Sequence, residues 1–87
     1  MPIRIELFGL ARRRVGLPVI EVEARTLGEA LREALAQQPG LGDCCTPSGQ
    51  LRATFVANLN GRRFVTQFET PLEDGDAVLL LSADAGG

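Results

Sequence analysis

The run Ala77-Val78-Leu79-Leu80-Leu81-Ser82 constrains the fold more than any other stretch of this 87-residue chain. A nearly continuous apolar run of this kind predicts a central strand, covered on both faces. It is also the last strand-like segment, so earlier strands must leave room for it in the middle of the sheet. Three of those earlier segments are legible. Ile3, Ile5 and Leu7 alternate with Arg4 and Glu6, the period-two pattern of a half-buried strand. Residues 18–24 alternate again, with Ile20 and Val22 opposite Glu21 and Glu23, so the two segments predict a hairpin across the polar, arginine-rich connection 11–16. Residues 53–60 place Phe55, Ala57 and Leu59 on one face, and Asn60-Gly61 is a hairpin turn signal. Residues 62–68 then return as a frayed or edge strand.

One segment has the helical period. Thr26-Leu27-Gly28-Glu29 fits a capping box, in which Thr26 accepts from a first-turn amide and Glu29 reaches back to the cap. Leu27, Ala30, Leu31, Ala34 and Leu35 follow at helical spacing, with Glu29, Arg32, Glu33 and Gln37 turned outward. Burial of the three leucines contributes about 1.5–3 kcal/mol each. Pro39-Gly40 stops the helix near Gln38, and a loop runs on to Gly49. The order is β-β-α-β-β-β, an α+β arrangement with one main helix on a mixed sheet and the last strand parallel to the first. That is the plan of the β-grasp, ubiquitin-like fold. It predicts one domain over residues 1–82 and a flexible C-terminal tail over 83–87 that ends in Gly-Gly.

Composition then removes whole classes of chemistry. The formal charge of −2 lacks the basic footprint of a nucleic-acid binder. No apolar run reaches the roughly 20 residues of a membrane span, and no signal-peptide core is evident, so a cytoplasmic location is expected. The chain has no histidine, and all nine of its basic residues are arginines. Ser-His and Cys-His nucleophiles and Schiff-base lysines are therefore ruled out, and the chain is not expected to be an enzyme. Cys44 and Cys45 are adjacent and cannot build a four-ligand zinc site alone, so no metal is expected. They read as two free thiols in a loop, or as a redox pair. Arg12, Arg13 and Arg14 read as a solvated loop, or as a site for an anionic ligand.

The ending carries more information. Ser82-Ala83-Asp84-Ala85-Gly86-Gly87 runs from the central strand into two terminal glycines. Joined to the β-grasp plan, this makes the chain resemble the MoaD/ThiS family of ubiquitin-like sulfur carriers over nearly its whole length. The matching pieces are the opening Ile-Glu-Leu-Phe-Gly-Leu-Ala-Arg, Thr26-Leu27 with Ala30-Leu31, Asn60-Gly61, Pro71-Leu72, Asp74-Gly75-Asp76-Ala77-Val78 and Gly86-Gly87. The length is closest to the molybdopterin synthase small subunit. That subunit carries an aromatic and a Pro-Pro pair before its tail, whereas this chain has Leu80-Leu81-Ser82-Ala83-Asp84, an ending more like carriers for cysteine or other thiolation pathways.

The resemblance implies chemistry at the carboxylate of Gly87, with Gly86 beside it. An ATP-dependent, ubiquitin-activating-type adenylyltransferase adenylates the carboxylate, and a sulfur donor displaces AMP to leave a thiocarboxylate. The carrier binds no cofactor itself; ATP is used by the activating enzyme. The sulfur passes to an acceptor enzyme such as a molybdopterin synthase large subunit, or to the cysteine, thiamine or tRNA thiolation pathways. The alternatives are a protein modifier conjugated through Gly87, and an interaction module whose Gly-Gly is incidental. Alternation in the last strand turns Val78 and Leu80 toward the helix and Leu79 and Leu81 away from it. Leu79 and Leu81, joined by Phe64 or Phe68 and by Ala83, Asp84 and Ala85 of the tail, form the expected partner-binding patch. The competing expectation is that residues 44–49 fold over the two leucines.

Overall fold

The computed structural model describes residues 2–83. Five strands form one mixed sheet: β1 (Ile3–Leu7), β2 (Val19–Val22), β3 (Phe55–Leu59), β4 (Arg63–Val65) and β5 (Ala77–Ser82), in the order β2-β1-β5-β3-β4. The apolar run is the middle strand, as its composition predicts. It lies parallel to β1, with Ile5 opposite Val78 and Leu7 opposite Leu80, and antiparallel to β3, with Phe55 opposite Ser82 and Leu59 opposite Val78. β1 and β2 are antiparallel, Ile5 facing Ile20. The arrangement is the β-grasp anticipated from the pattern.

The main helix α2 (Leu27–Gln37) crosses one face. Thr26 caps it in extended conformation, its hydroxyl oxygen accepting from the Glu29 N–H at 3.2 Å. Glu29 reaches back one residue further than expected, accepting from the Arg25 N–H at 2.9 Å rather than from Thr26. Leu27, Ala30, Leu31 and Ala34 are buried against Ile3, Ile5, Leu7, Val78 and Leu80, while Leu35 is only partly covered. Asn60 and Gly61 both have positive φ, 58° and 72°, which the β3–β4 turn requires. The Asn60 side chain then pins that turn to the start of β5, accepting from the Ala77 N–H at 2.8 Å and donating to Asp76 at 3.0 Å.

Four expectations are corrected. The connection after β1 is a helix, α1 (Gly9–Val15), closed by Gly16 at φ 87°. Ala11 is buried and Val15 packs on the core, so two inward positions one turn apart suffice to dock it. The segment after α2 is not a plain loop: Pro39–Asp43 forms a 3₁₀ turn that buries Leu41. Cys44 and Cys45, expected as loop thiols, are fully buried in the hydrophobic core. Finally, β4 is three residues long, shorter than the predicted return strand but at the edge as expected.

Residues 44–49 pack on the helix side. The Cys45 thiol lies 3.7 Å from the Leu41 carbonyl and 4.0 Å from that of Leu31. Gly49, at φ 90°, sits so close that a β-carbon would collide with the Gly28 carbonyl oxygen. Gly49→Ala combines that collision with a backbone conformation unfavourable to any side chain, so it is expected to lower unfolding free energy by about 2–3 kcal/mol in a denaturant titration.

Candidate functional site

The helices, the 3₁₀ turn and residues 44–49 all occupy one face of the sheet, and among the described residues no helix covers the other, open face. Residues directly paired across strands share a face, so the register defines what that open face presents. Val19, Glu6, Leu79, Asn58 and Phe64 form one row across all five strands. Val56 lies opposite Leu81 in the next row. Leu79 and Leu81 are half-buried, and Phe64 is 66% exposed. The expectation that residues 44–49 cover Leu79 and Leu81 is therefore overturned; that segment is on the far side of the sheet.

Phe68 is corrected as well. Its ring rests on Gly28 at the start of α2, where a β-carbon would strike it, and the Arg32 guanidinium lies 5.3 Å above the ring. It belongs to the helix side and does not adjoin Phe64 on the open face. Four further apolar residues are exposed, of which Val19 lies in the open-face row. Phe8, Leu10, Leu17 and Val19 are each about two-fifths exposed. The signal was present: a hydrophobic residue on either side of a short helix that has few inward positions.

Asn58 sits in the open-face row between Leu79 and Phe64. Its Oδ1 is covered by neighbouring atoms and has no hydrogen-bond partner among the described residues. A covered acceptor without a donor is unusual in a native fold and carries a desolvation penalty of about 1–3 kcal/mol.

The central strand leads out of the sheet beside this face. Phe8 N–H donates to the Leu80 carbonyl at 3.1 Å, and Ala83 N–H donates to the Thr54 carbonyl at 2.6 Å, so the chain is held on both sides up to Ala83. Ala83 itself is exposed. Asp84, Ala85, Gly86 and Gly87 lie outside the described residues.

Neither thiol is poised for chemistry. Burial pushes the Cys44 thiol up to about 11, with Cys45 and Asp43 adding to the rise and Arg14 opposing it. Burial also raises Cys45, against the pull of Arg52. In the unfolded chain these thiols ionise first, so the stability that the neutral thiols contribute is complete below about pH 9 and is lost as pH rises toward 11. The chain has neither lysine nor tyrosine to titrate in that window. A fall of roughly 2 kcal/mol between pH 9 and 11 is expected in urea unfolding, and it should shrink in Cys44→Ala. Among the described residues no group of His, Cys, Asp or Glu is arranged to hold a metal ion. None of the described helices is long and apolar enough to cross a membrane.

A five-stranded β-grasp sheet with the last strand at its centre and one face left open is the architecture of the ubiquitin-like carriers and modifiers. The chain belongs to the ThiS family, whose model matches residues 5–87. No curated protein matches it by sequence. Solved structures do. SAMP1 from Haloferax volcanii superposes with a TM-score of 0.83 at 21% identity, each chain covered in full. A chain of the BexX/CysO complex from Amycolatopsis orientalis gives 0.79 at 20% identity, with 98% of this chain and 99% of that one covered. A chain from the complex of subunits 1 and 2 of the molybdopterin-converting factor of Helicobacter pylori gives 0.67 at 25% identity, both covered in full. The fold is thus that of the MoaD/ThiS-type ubiquitin-like sulfur carriers and modifiers.

Proposed function

We propose that this protein is a sulfur carrier that works through the carboxylate of Gly87. The observation that carries the proposal is the position of β5: the central strand of a ThiS-family sheet is also the last one, and the sequence that follows it ends in Gly86-Gly87. A carboxylate oxygen of Gly87 attacks the α-phosphorus of ATP on an activating enzyme, and pyrophosphate leaves. Sulfide delivered by a sulfur donor then attacks the acyl carbon, the C–O bond to the phosphate breaks and AMP leaves, and loss of the S–H proton gives a thiocarboxylate. Glycine suits both terminal positions, because a β-carbon would crowd the acyl carbon and stiffen a tail that must thread a narrow channel. The globular part supplies binding energy far from the reacting atom and orients it. The carrier needs no acid or base of its own, in keeping with a chain that has no histidine and no lysine.

The molybdopterin-type acceptor is the first reading, supported by the likeness to the molybdopterin-converting factor complex. A second reading, conjugation to other proteins through Gly87, is favoured by the likeness to SAMP1, a small archaeal modifier protein. Intact mass of the protein purified from its own host separates the two. Replacement of one oxygen by one sulfur is the expected result; an unshifted mass accompanied by ladders of higher mass would overturn it in favour of the modifier.

A further inference from the structure

Of the three arginines of α1, only Arg14 forms an ion pair with another element among the described residues, to Asp43 of the 3₁₀ turn. Arg12, Arg13 and Arg14 fill the last turn of the helix, all exposed, and like charges so close together repel. Arg14 lies 3.4 Å from Asp43, and Arg52 donates through Nε to the Gly42 carbonyl at 2.7 Å. Arg12 and Arg13 have neither an ion pair nor a side-chain hydrogen bond among the described residues. All four sit at one pole. β1 and β5 run parallel, so α1, which follows β1, lies beside the end of β5, and Arg52 stands just before Thr54, the residue that holds Ala83. The opposite pole is acidic: Glu23, Glu29 and Asp74 line a concavity there with Ala24 and Arg25, and Glu73 and Asp76 adjoin it. A protein of net charge −2 thus carries a basic collar where its tail emerges.

We propose that this collar docks on an acidic rim around the tail channel of the partner protein, with Arg12 and Arg13 as its contacts. The inference rests on the carrier reading and adds what the partner must look like. Reach argues for the rim rather than for the nucleotide. Four residues span at most about 14 Å, so a channel that takes residues 84–87 can hold the carboxylate farther from Ala83 than an arginine anchored on the globular body can reach. The anion these side chains meet is therefore at the mouth of the channel, not at the reacting carboxylate. Guanidinium forks pair with carboxylates in a bidentate geometry, which fits a protein rim. An extended polyanion would also meet the negative field of the rest of the molecule, whereas a local rim meets only the collar.

The test is ATP–pyrophosphate exchange with the host's activating enzyme, at low and high salt, for wild type, Arg12→Glu/Arg13→Glu and the neutral pair Arg12→Gln/Arg13→Gln. The charge-reversed pair is expected to raise KM for the carrier about tenfold or more, to leave kcat within about twofold, and to flatten the salt dependence of kcat/KM. The neutral pair should fall between. Arg62→Glu/Arg63→Glu, in the turn and edge strand at the far end of the sheet, should behave as wild type. Unchanged melting temperatures establish that the variants fold. An unaltered KM and salt dependence in both Arg12/Arg13 pairs would overturn the collar while leaving the carrier reading in place. No exchange with wild type would overturn both. Binding of a single-stranded RNA oligonucleotide that depends on Arg12 and Arg13 would replace the acidic rim with a nucleic acid.

Discussion

Deletion of Gly87 is expected to abolish AMP-forming activation while leaving the melting temperature of the domain unchanged. The two halves of the expectation have separate causes. The core consists of residues between Ile3 and Leu80, so removing a terminal glycine takes nothing from it. Activation requires a carboxylate at a fixed reach from the docked sheet, and one residue shortens that reach by about 3.3–3.6 Å, far outside bonding distance. Gly86→Val should have nearly as large an effect through crowding and lost backbone freedom. ATP–pyrophosphate exchange and a thermal melt measure the two halves. Undiminished exchange in the Gly87 deletion would refute the carboxylate chemistry.

Leu79→Asp is expected to separate docking from folding. Leu79 is half-buried in the centre of the open face between Glu6 and Asn58, whereas its neighbours Val78 and Leu80 are fully buried against the helix side. A carboxylate there stays in reach of water, so the loss of unfolding free energy should be about 1 kcal/mol, comparable with the poor strand propensity of aspartate. On the docked complex the same charge is desolvated beside Glu6, and truncation of a central interface residue commonly costs 2 kcal/mol or more. Binding to the activating enzyme should weaken at least about 30-fold. Leu80→Asp serves as the contrast and should unfold the domain. If Leu79→Asp unfolds it as well, Leu79 is core and the patch is not a docking surface.

Most of the fold was legible because its elements obey local rules. Thr26 and Glu29 announce α2, Asn60-Gly61 announces the β3–β4 turn, and the apolar run 77–82 announces the central strand. What was not legible depends on contacts distant in sequence. α1 has only Ala11 and Val15 to turn inward, too few to display a period, and its three arginines make it look like a solvated loop. Cys44 and Cys45 are buried because the 3₁₀ turn at Pro39–Asp43 folds them under α2, a placement that neighbouring residue types do not report. Phe68 was grouped with Phe64 by proximity along the chain, but β4 ends at Val65 and the chain then turns to the N-terminus of α2. The facing of Leu79 and Leu81 away from α2 follows from strand alternation alone, and it holds although the structure has a second helix, because α1 packs on the same side as α2.

The parallel pairing of the first and last strands also dictates when the protein becomes competent. β1 has β2 on one edge from early in synthesis, but its other edge and the inner edge of β3 remain unpaired until residues 77–82 arrive to fill the gap. Pairing across nearly the whole length of the chain is slow to form and cannot be anticipated by any shorter segment. Until then Leu79 is not in place between Glu6 and Asn58, and the row that crosses all five strands does not exist. A chain cut short of residue 77 therefore has two separate hairpins and no continuous sheet face for any partner to meet.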